Sequence, residues 1–389
     1  MENRWGTGPS PGSDEVEALL HLSHLVGSDN SLVQSGGGNS SIKLPSPPSG
    51  IGDRSVRASG AKEEAVLMVK GSGIDLQVME RKDLTRLSMA RLACLADVAK
   101  MTDEAMMEFM GACMLAPHTD PLPSVETHLH AILPSSVVIH THDVATLSIT
   151  NQEDGTAVRI LRDLYQDRVA HLPYVRPGFP LARAVSARVS SLAPQTCALA
   201  LAHHGLVVWG DTARECHGRL VELISAAEDY LAERLKGRHV LGVSSPQIHD
   251  TENRTRQAEI ILPVIRGELG CEEPVILGWD TSAQVLDLLA RPRFKEVSGR
   301  GMATPEHLLR AGRLPLWIDL PAGDSDEEII SSLRQQIDRQ RRDYLAYHHR
   351  HAVAGSPPLS DWAKVLLIPG LGMVTAFKDA VSAGVAASC

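Results

Sequence analysis

Hydrophobic residues recur at helical spacing in three long segments of the first 240 positions. The segments are residues 14–27, 102–114 and 212–237, and the first and last of them end at a glycine. Apolar positions three and four apart, closed by glycine, are typical of amphipathic helices. A shorter apolar segment, PSVETHLHAILP (123–134), is bracketed by prolines. We predict a short helix there, with Ser124 as its N-cap.

Runs of β-branched and apolar residues between these helices predict strands. NSSIKL (39–44) and AVLMVKG (65–71) read as the two strands of one hairpin, and SVVIHTH (136–142) as a third strand. TCALALAHHGLVVWG (196–210) reads as two strands separated by a His-His-Gly turn. The stretch 45–64 is rich in proline, serine and glycine, which predicts a surface loop.

The same pattern divides the chain. Residues 1–13 have no apolar periodicity and are expected to form a disordered tail. The polar sequence around residue 245 predicts a boundary between a domain at 14–245 and a smaller α/β domain at 246–389. In the latter, PVILGW, LPLWIDL and AKVLLIPG read as strands, and the segment from Asp326 to His351 reads as a long helix.

Composition narrows the class of protein. The formal net charge of −9 does not favour nucleic acid or an anionic membrane surface as a partner. No segment reaches the roughly 18 uncharged apolar residues of a membrane helix. The six cysteines contain no C-x-x-C pair, and the N-terminus has no signal-peptide core. We expect a cytoplasmic protein.

Two histidines, His140 and His142, stand one residue apart at the end of a predicted strand. Residues i and i+2 of a strand point to the same face, so both imidazoles can present a nitrogen to one metal ion. Taken alone, such a pair is structural more often than it is metal-binding. A second pair, His203 and His204, ends another predicted strand. We take His204 as a third ligand and His203 as a buried or supporting residue, because three histidines at strand ends suit a zinc site with an open position.

Glu126 lies in the short helix immediately before this strand. Its carboxylate is a candidate general acid/base, or a fourth ligand that moves away when substrate binds. Alternatively, Glu126 is an acidic residue of the first helical turn whose charge is stabilised by the helix dipole and which has no catalytic role.

Glycine-rich turns provide candidate anion-binding groups. QSGGGNSSI (34–42) and VKGSGID (69–75) expose backbone N–H groups, and Lys70 and Ser124 add a charge and a hydroxyl. A third glycine-containing segment, PGLGMVTAFK (369–378), lacks the spacing of a dinucleotide-binding turn, so we expect no NAD site.

In this order, the motifs GGGNSSIKL, VKGSGIDL, PSVETHLHAILP, VVIHTHD and LAHHGLVVWGDTAREC resemble the class II aldolase/adducin family over residues 14–240. The resemblance is strongest to the aldolase portion of bifunctional rhamnulose-1-phosphate aldolase/short-chain dehydrogenases, without the dehydrogenase part. It implies an α/β fold, namely a three-layer α/β/α sandwich with a mainly antiparallel central sheet. It also implies a homo-oligomer, typically a tetramer.

The family pattern implies roles for individual residues. His140, His142 and His204 would hold a divalent metal, usually Zn²⁺, with Mn²⁺ or Co²⁺ as alternatives, and Glu126 would be the acid/base. The pocket for the phosphate of the sugar substrate would contain these residues: Gly38, Asn39, Lys70, Ser72, Gly73 and Ser124. A tyrosine would protonate the leaving aldehyde, and none of the five tyrosines is singled out for this role.

The implied activity is cleavage or formation of a ketose 1-phosphate through a metal-stabilised enediolate of dihydroxyacetone phosphate. A sugar-phosphate 4-epimerase or sugar-acid-phosphate decarboxylase uses the same ligands, and an adducin-like interaction module would keep the fold without catalysis. Fuculose-type aldolases have a serine and a hydroxyl residue where this chain has Val125 and Gly36. Lys70 or Lys43 could compensate, or the anion could differ from a phosphate.

The C-terminal domain offers further polar residues in GRGMATPEHLLR. Arg300, His307 and Arg310 could reach the pocket of a neighbouring subunit, or the TPEH sequence could simply cap a helix. We favour the helix cap.

Overall fold

The structure, a computed structural model, describes residues 1–6, 8–10, 13–45, 65–244, 251–320, 325–352, 357–358 and 362–388. It divides into two compact units, Met1–Arg234 and Leu235–Cys389. The predicted loop at 45–64 lies outside the described residues except for Pro45, as do residues 245–250 of the polar segment at the predicted domain boundary. None of the helices in the described ranges combines the length and apolar character that a membrane span requires.

The first unit is built on a seven-stranded sheet with the order β3-β2-β1-β4-β7-β6-β5. All neighbouring strands pair antiparallel except β5 and β6. The strands are β1 (Asn39–Leu44), β2 (Val66–Lys70), β3 (Leu84–Ser88), β4 (Val137–Thr141), β5 (Val169–Leu172), β6 (Ala198–Leu201) and β7 (Gly205–Gly210).

Helices cover both faces of this sheet. They are α1 (Glu15–Gly27), α2 (Met89–Ala93), α3 (Asp103–Cys113), α4 (Thr127–Ile132), α5 (Val144–Thr150), α6 (Asp154–Tyr165), α7 (Phe179–Val189) and α8 (Ala213–Leu235). Successive strand residues face opposite ways, so Ile139 packs into the core under α1 and α8, whereas Val138 packs under α4 and α7. The predicted three-layer α/β fold with a mainly antiparallel sheet is confirmed.

The predicted helix at 123–134 is shorter in the structure. Helix α4 begins at Thr127, and the N-cap position belongs to Glu126 rather than Ser124. The Glu126 side chain makes no capping hydrogen bond, because its carboxylate is turned toward the histidines described below. Ser124 lies before the helix, where its Oγ accepts the Glu126 N–H at 3.3 Å. The prediction of Ser124 as the N-cap of this helix is therefore wrong.

The first residues differ from the disordered tail that their composition predicted. Trp5 is buried, and its ring lies 4.9 Å from the ring of His21 on α1 and 5.6 Å from that of His217 on α8. The amino group of Met1 pairs with Glu228 at 2.6 Å. A single large apolar side chain packs this segment onto two helices, which a search for periodicity does not detect.

The second unit contains a four-stranded sheet with the order β8-β11-β10-β9, in which only β9 and β10 pair parallel. Its strands are β8 (Ile276–Asp280), β9 (Leu316–Trp317), β10 (Val365–Ile368) and β11 (Gly372–Phe377). Its helices are α9 (Thr251–Leu269), α10 (Ala283–Leu289), α11 (Phe294–Ser298), α12 (Pro305–Ala311), α13 (Asp326–His351) and α14 (Ala380–Ser388).

Two sequence motifs of this unit have structural roles. The Thr304 hydroxyl accepts the His307 N–H at 3.1 Å, so the TPEH sequence is the N-cap of α12. Arg310 pairs with Glu306 along the same helix. The glycines at 370 and 372 have positive φ and form the turn between β10 and β11, which is a hairpin and not a strand–turn–helix.

Candidate functional site

Three histidines meet where β4 leaves the sheet. His140 lies in β4, His142 follows its last residue, and His204 lies in the short turn between β6 and β7. Strand β4 pairs with β7 through the register His140–Val207, which places the turn beside the end of β4. Two segments more than 60 residues apart thereby present their side chains to one point. All three residues are buried.

The ring nitrogens of the three histidines point toward one another. His140 Nε2 lies 3.2 Å from His142 Nε2 and 3.3 Å from His204 Nε2. Ligand nitrogens of a tetrahedral Zn²⁺ at about 2.0–2.1 Å lie roughly 3.3 Å apart. The observed spacing therefore fits a divalent metal ion of this kind.

A backbone contact sets the protonation of His140. Its Nδ1 lies 3.0 Å from the carbonyl oxygen of Leu206, which can only accept, so Nδ1 carries the proton and donates it. Burial lowers the pKa of His140 to about 4, so the ring is neutral at pH 7. A neutral imidazole with its proton on Nδ1 has a free lone pair on Nε2, which is the state a metal ligand requires.

Glu126 lies beside the same nitrogens. Its Oε1 is 2.9 Å from His204 Nε2, and its Oε2 is 3.8 Å from His140 Nε2. Burial by itself would raise the pKa of this carboxyl, but the imidazoles of His140, His204 and His142 hold it well below its usual range. The side chain is therefore a carboxylate, placed where it could act on a proton or serve as a fourth metal ligand.

Asn39, which the family resemblance places in the phosphate pocket, contacts Glu126. Its Nδ2 donates a 2.7 Å hydrogen bond to Glu126 Oε2. The register of β1 against β4 pairs Asn39 with His140, so the amide lies on the same sheet face as the histidine. Asn39 thus orients the carboxylate while Oε1 remains at His204.

Two glycines allow the backbone on either side of the end of β4 to approach it closely. A Cβ on Gly205 would lie 2.1 Å from the carbonyl oxygen of Thr141 and about 3 Å from the rings of His142 and His140. Gly38 has φ +64°, and its Cβ would lie 2.7 Å from the His140 carbonyl oxygen. Gly38, which the family resemblance places in the phosphate pocket, therefore also allows its own backbone to lie close to the His140 carbonyl.

Lys70 joins the two glycine-rich turns. It is buried, and its Nζ donates to the carbonyls of Gly36 at 3.3 Å and Ile74 at 2.7 Å. Ser35 adds a second link, because its hydroxyl donates to Asp75 at 2.6 Å. The two turns, separated by more than 30 residues, form one surface.

The segment before Glu126 lies beside these turns. The Ser72 N–H donates to the Leu122 carbonyl at 2.8 Å, and Gly71 forms a β-bridge with Pro123. Ser72 and Gly73 are exposed, Gly73 with φ +74°, and Ser124 is half-buried. Three of the predicted pocket residues are thus on neighbouring backbone segments. Val125, the departure from the fuculose-type pattern, is 38% exposed on the same segment.

Other candidates lie away from the histidines. His203 is exposed, in the left-handed backbone region at φ +55°, with its ring 6.2 Å from that of Tyr174, so it is not a buried supporting residue. Lys43 donates to the carbonyls of Leu133 and Ser135 beyond the end of α4 and does not supply a charge to the turns.

The sequence did not identify the contact partners within the site. The roles of Asn39, Gly205 and the Leu206 carbonyl depend on which strands are neighbours. The adjacency of Gly205 to His204 was a visible signal, because a glycine at the start of an apolar strand often marks close backbone approach.

Comparison with known proteins supports one family. Residues 17–231 match the class II aldolase and adducin N-terminal domain, and residues 256–389 match the second domain of class II aldolase. A curated relative, named the uncharacterized oxidoreductase YuxG of Bacillus subtilis (strain 168), is 33% identical over 365 residues. The match covers 94% of this chain and 51% of YuxG, so the chain spans about half the length of that relative.

A solved structure covers the first unit. The N-terminal class II aldolase domain of a conserved protein from Thermoplasma acidophilum is 36% identical, with a TM-score of 0.52. The match covers 59% of this chain and 99% of that domain.

Proposed function

The chain belongs to the class II aldolase and adducin family, and on that premise we propose that it is a metal-dependent aldolase. Its substrate class is a ketose 1-phosphate of the rhamnulose or fuculose type. The bond between C3 and C4 breaks, one fragment is dihydroxyacetone phosphate and the other is an aldehyde. The reverse reaction forms the same bond.

The proposal rests on three buried imidazoles whose candidate ligand nitrogens all lie within 4.8 Å of one another, with His140 Nε2 3.2–3.3 Å from the other two and the Glu126 carboxylate beside them. His140, His142 and His204 would hold the ion. A divalent cation supplies Lewis-acid stabilisation of the negative charge that develops on the substrate oxygens during cleavage. The ordinary ligand preference of such a three-histidine site favours Zn²⁺.

Glu126 moves the proton at the carbon that loses its bond to the aldehyde. Its depressed pKa keeps it ionised, so in the cleavage direction it begins as a proton acceptor for a substrate hydroxyl and then returns the proton to the carbon. Asn39 holds the carboxylate in one orientation during this transfer. Burial of all three histidines keeps bulk water from competing for the proton.

The substrate phosphate would bind at the surface formed by the two glycine-rich turns and the segment before Glu126. Ser72, Gly73 and Ser124 offer hydroxyl and backbone donors there, since Gly71 and Ser72 contact the 122–123 backbone. Lys70 acts on this surface by joining its turns, because its Nζ already donates to two carbonyls.

The test combines metal analysis with product analysis. We expect the purified chain to contain about one equivalent of divalent metal per chain. With L-rhamnulose 1-phosphate or L-fuculose 1-phosphate, it should release dihydroxyacetone phosphate. Glu126→Gln keeps the shape of the side chain and should retain metal while turnover falls on the order of 10²-fold or more.

Three outcomes would contradict the proposal. A folded chain without metal would favour an adducin-like interaction module. A C4 epimer as product would identify an epimerase, and release of CO₂ from a sugar-acid phosphate would identify a decarboxylase.

A further inference from the structure

The second unit contains a cavity of about 520 Å³ formed by residues of that unit alone. One wall is a face of α13, and the facing wall is the chain from Gly312 to Trp317 together with Trp362–Lys364. Pockets for small organic ligands range from about 300 to 1,000 Å³. The cavity is therefore large enough for a ligand the size of a nucleotide.

Aromatic side chains are concentrated around this cavity. The whole chain has only five tryptophans and five tyrosines. Two of each line the cavity, Trp317, Trp362, Tyr344 and Tyr347, and all four are half-buried. Lys295 lies over the Trp317 ring and Arg313 over the Tyr347 ring, so Tyr344 and Trp362 are the rings on which a planar ligand group can stack.

Arg313 is held over one of these rings. Its guanidinium carbon lies 3.8 Å from the centre of the Tyr347 ring. Within the described ranges, no carboxylate forms an ion pair with Arg313. A guanidinium stacked by its face keeps the N–H donors along its edge, and this fork matches two oxygens of a phosphate.

The charges around the cavity favour an anion with hydroxyl groups. Of the two acids in its walls, Asp319 is paired with Lys295 at 2.7 Å. Asp343 is the other acid, and Arg339 lies one turn before it on α13. Arg313 and Arg339 thus outnumber Asp343, and these three groups together carry a net positive charge. A carboxylate in such a site accepts hydrogen bonds from sugar hydroxyls.

We propose that this cavity binds a nucleoside phosphate. The base stacks on Tyr344 and Trp362, the phosphate pairs with Arg313 beside them, and Asp343 accepts a ribose hydroxyl. A sugar phosphate would leave the aromatic wall unused, and a neutral aromatic ligand would leave Arg313 without its anion. The site lies within the second unit, so it does not depend on the aldolase activity proposed for the first.

The test is calorimetric titration of the full-length chain with AMP, adenosine and ribose 5-phosphate. The His142→Ala variant serves as the host protein, so that a metal in the first unit cannot bind the phosphate. We expect AMP to saturate one site per chain, and we expect adenosine and ribose 5-phosphate to bind at least about tenfold more weakly, since each lacks one of the two recognised groups.

Substitutions locate the site. Arg313→Gln should weaken AMP binding about tenfold or more, and Arg350→Gln, a matched change on α13 outside the cavity, should leave it unchanged. Tyr344→Leu should weaken AMP and adenosine but leave ribose 5-phosphate unaffected. Circular dichroism verifies that each variant is folded, and either Arg313→Gln or Tyr344→Leu suffices if the other unfolds. AMP that fails to saturate at about 10 mM, equal binding of ribose 5-phosphate, or unchanged AMP binding in the folded variants would overturn the proposal.

Discussion

Asn39 donates a 2.7 Å hydrogen bond to the carboxylate of Glu126 across 87 positions of the sequence. The contact exists because β1 pairs with β4 in the register that sets Asn39 opposite His140. One strand therefore carries the group that orients the carboxylate, and its neighbour carries a candidate metal ligand. The geometry couples the candidate acid/base to the candidate metal site through the sheet.

Removal of the Asn39 amide should impair the proton transfer without removing the metal. Because a donated hydrogen bond stabilises the carboxylate, Asn39→Ala should raise the pKa of Glu126. The acidic limb of the kcat/KM profile should then move to higher pH, with kcat lower by about 10-fold to 100-fold. The measurement is the pH profile of dihydroxyacetone phosphate release. Asn39→Ala with an unshifted profile and normal kcat would show that Asn39 does not orient Glu126.

The His142→Ala variant should lose the bound metal. Removal of one of three imidazoles leaves too few ligands for a tight site, so metal content should fall from about one equivalent to near zero. His203→Asn is the matched control, because His203 is exposed next to His204 and asparagine tolerates its left-handed backbone. Elemental analysis of both purified variants measures the difference. Equal metal content in the two variants would place the metal elsewhere.

Gly205→Ala should disrupt the site although it adds only one methyl group. The new Cβ would lie 2.1 Å from the Thr141 carbonyl oxygen, so the β4 and β7 backbones must separate. We expect a loss of about 1–3 kcal/mol in the free energy of unfolding, together with weaker metal binding.

Gly218→Ala provides the comparison for this substitution. Gly218 lies within α8, and a Cβ there meets no atom within 4 Å. Alanine should stabilise the helix by roughly 0.5–1 kcal/mol. Urea denaturation measures both variants. The explanation would fail if Gly205→Ala were as stable as the parent chain and bound metal equally well.

Acid should destabilise the first unit through its buried histidines. Burial lowers the pKa of His128 and His217 to about 4 and that of His130 to about 3. The unfolded chain protonates these rings near pH 6.5, whereas the folded chain keeps them neutral. Stability is therefore retained above pH 6.5 and lost as the pH falls toward about 4, by at most about 1.4 kcal/mol per pH unit for each ring.

His217→Phe isolates one of these contributions. Phenylalanine keeps a ring against Trp5 but cannot take up a proton. The pH dependence of the free energy of unfolding, measured by urea titration between about pH 4.5 and 6.5, should decrease by close to one proton relative to the parent chain. The other histidines and any bound metal are the same in both proteins. An unchanged slope would mean that His217 is protonated in the folded state.

Local spacing accounts for the parts of the fold that the sequence predicted well. The helices around residues 14–27, 102–114 and 212–237 form within two residues of the predicted bounds, because their apolar faces and caps are encoded within each segment. The strands at 39–44 and 65–71 pair as the predicted hairpin. The short helix before His140 was predicted too long, because the Glu126 side chain serves the histidines instead of the helix end.

The sequence by itself identified the candidate residues of the site. Two histidines at strand spacing, a third before a glycine and an acid upstream are local patterns, and alternation along a strand places His140 and His142 on one face.

Only the tertiary structure decided how these residues meet. The order of the strands places His204 beside His140, and the register of β1 against β4 places Asn39 within hydrogen-bond distance of Glu126. The packing of helices places Trp5 against α1 and α8 and forms the aromatic cavity of the second unit. These contacts join residues far apart in the chain, and their formation depends on the packing of whole elements, which no single segment encodes.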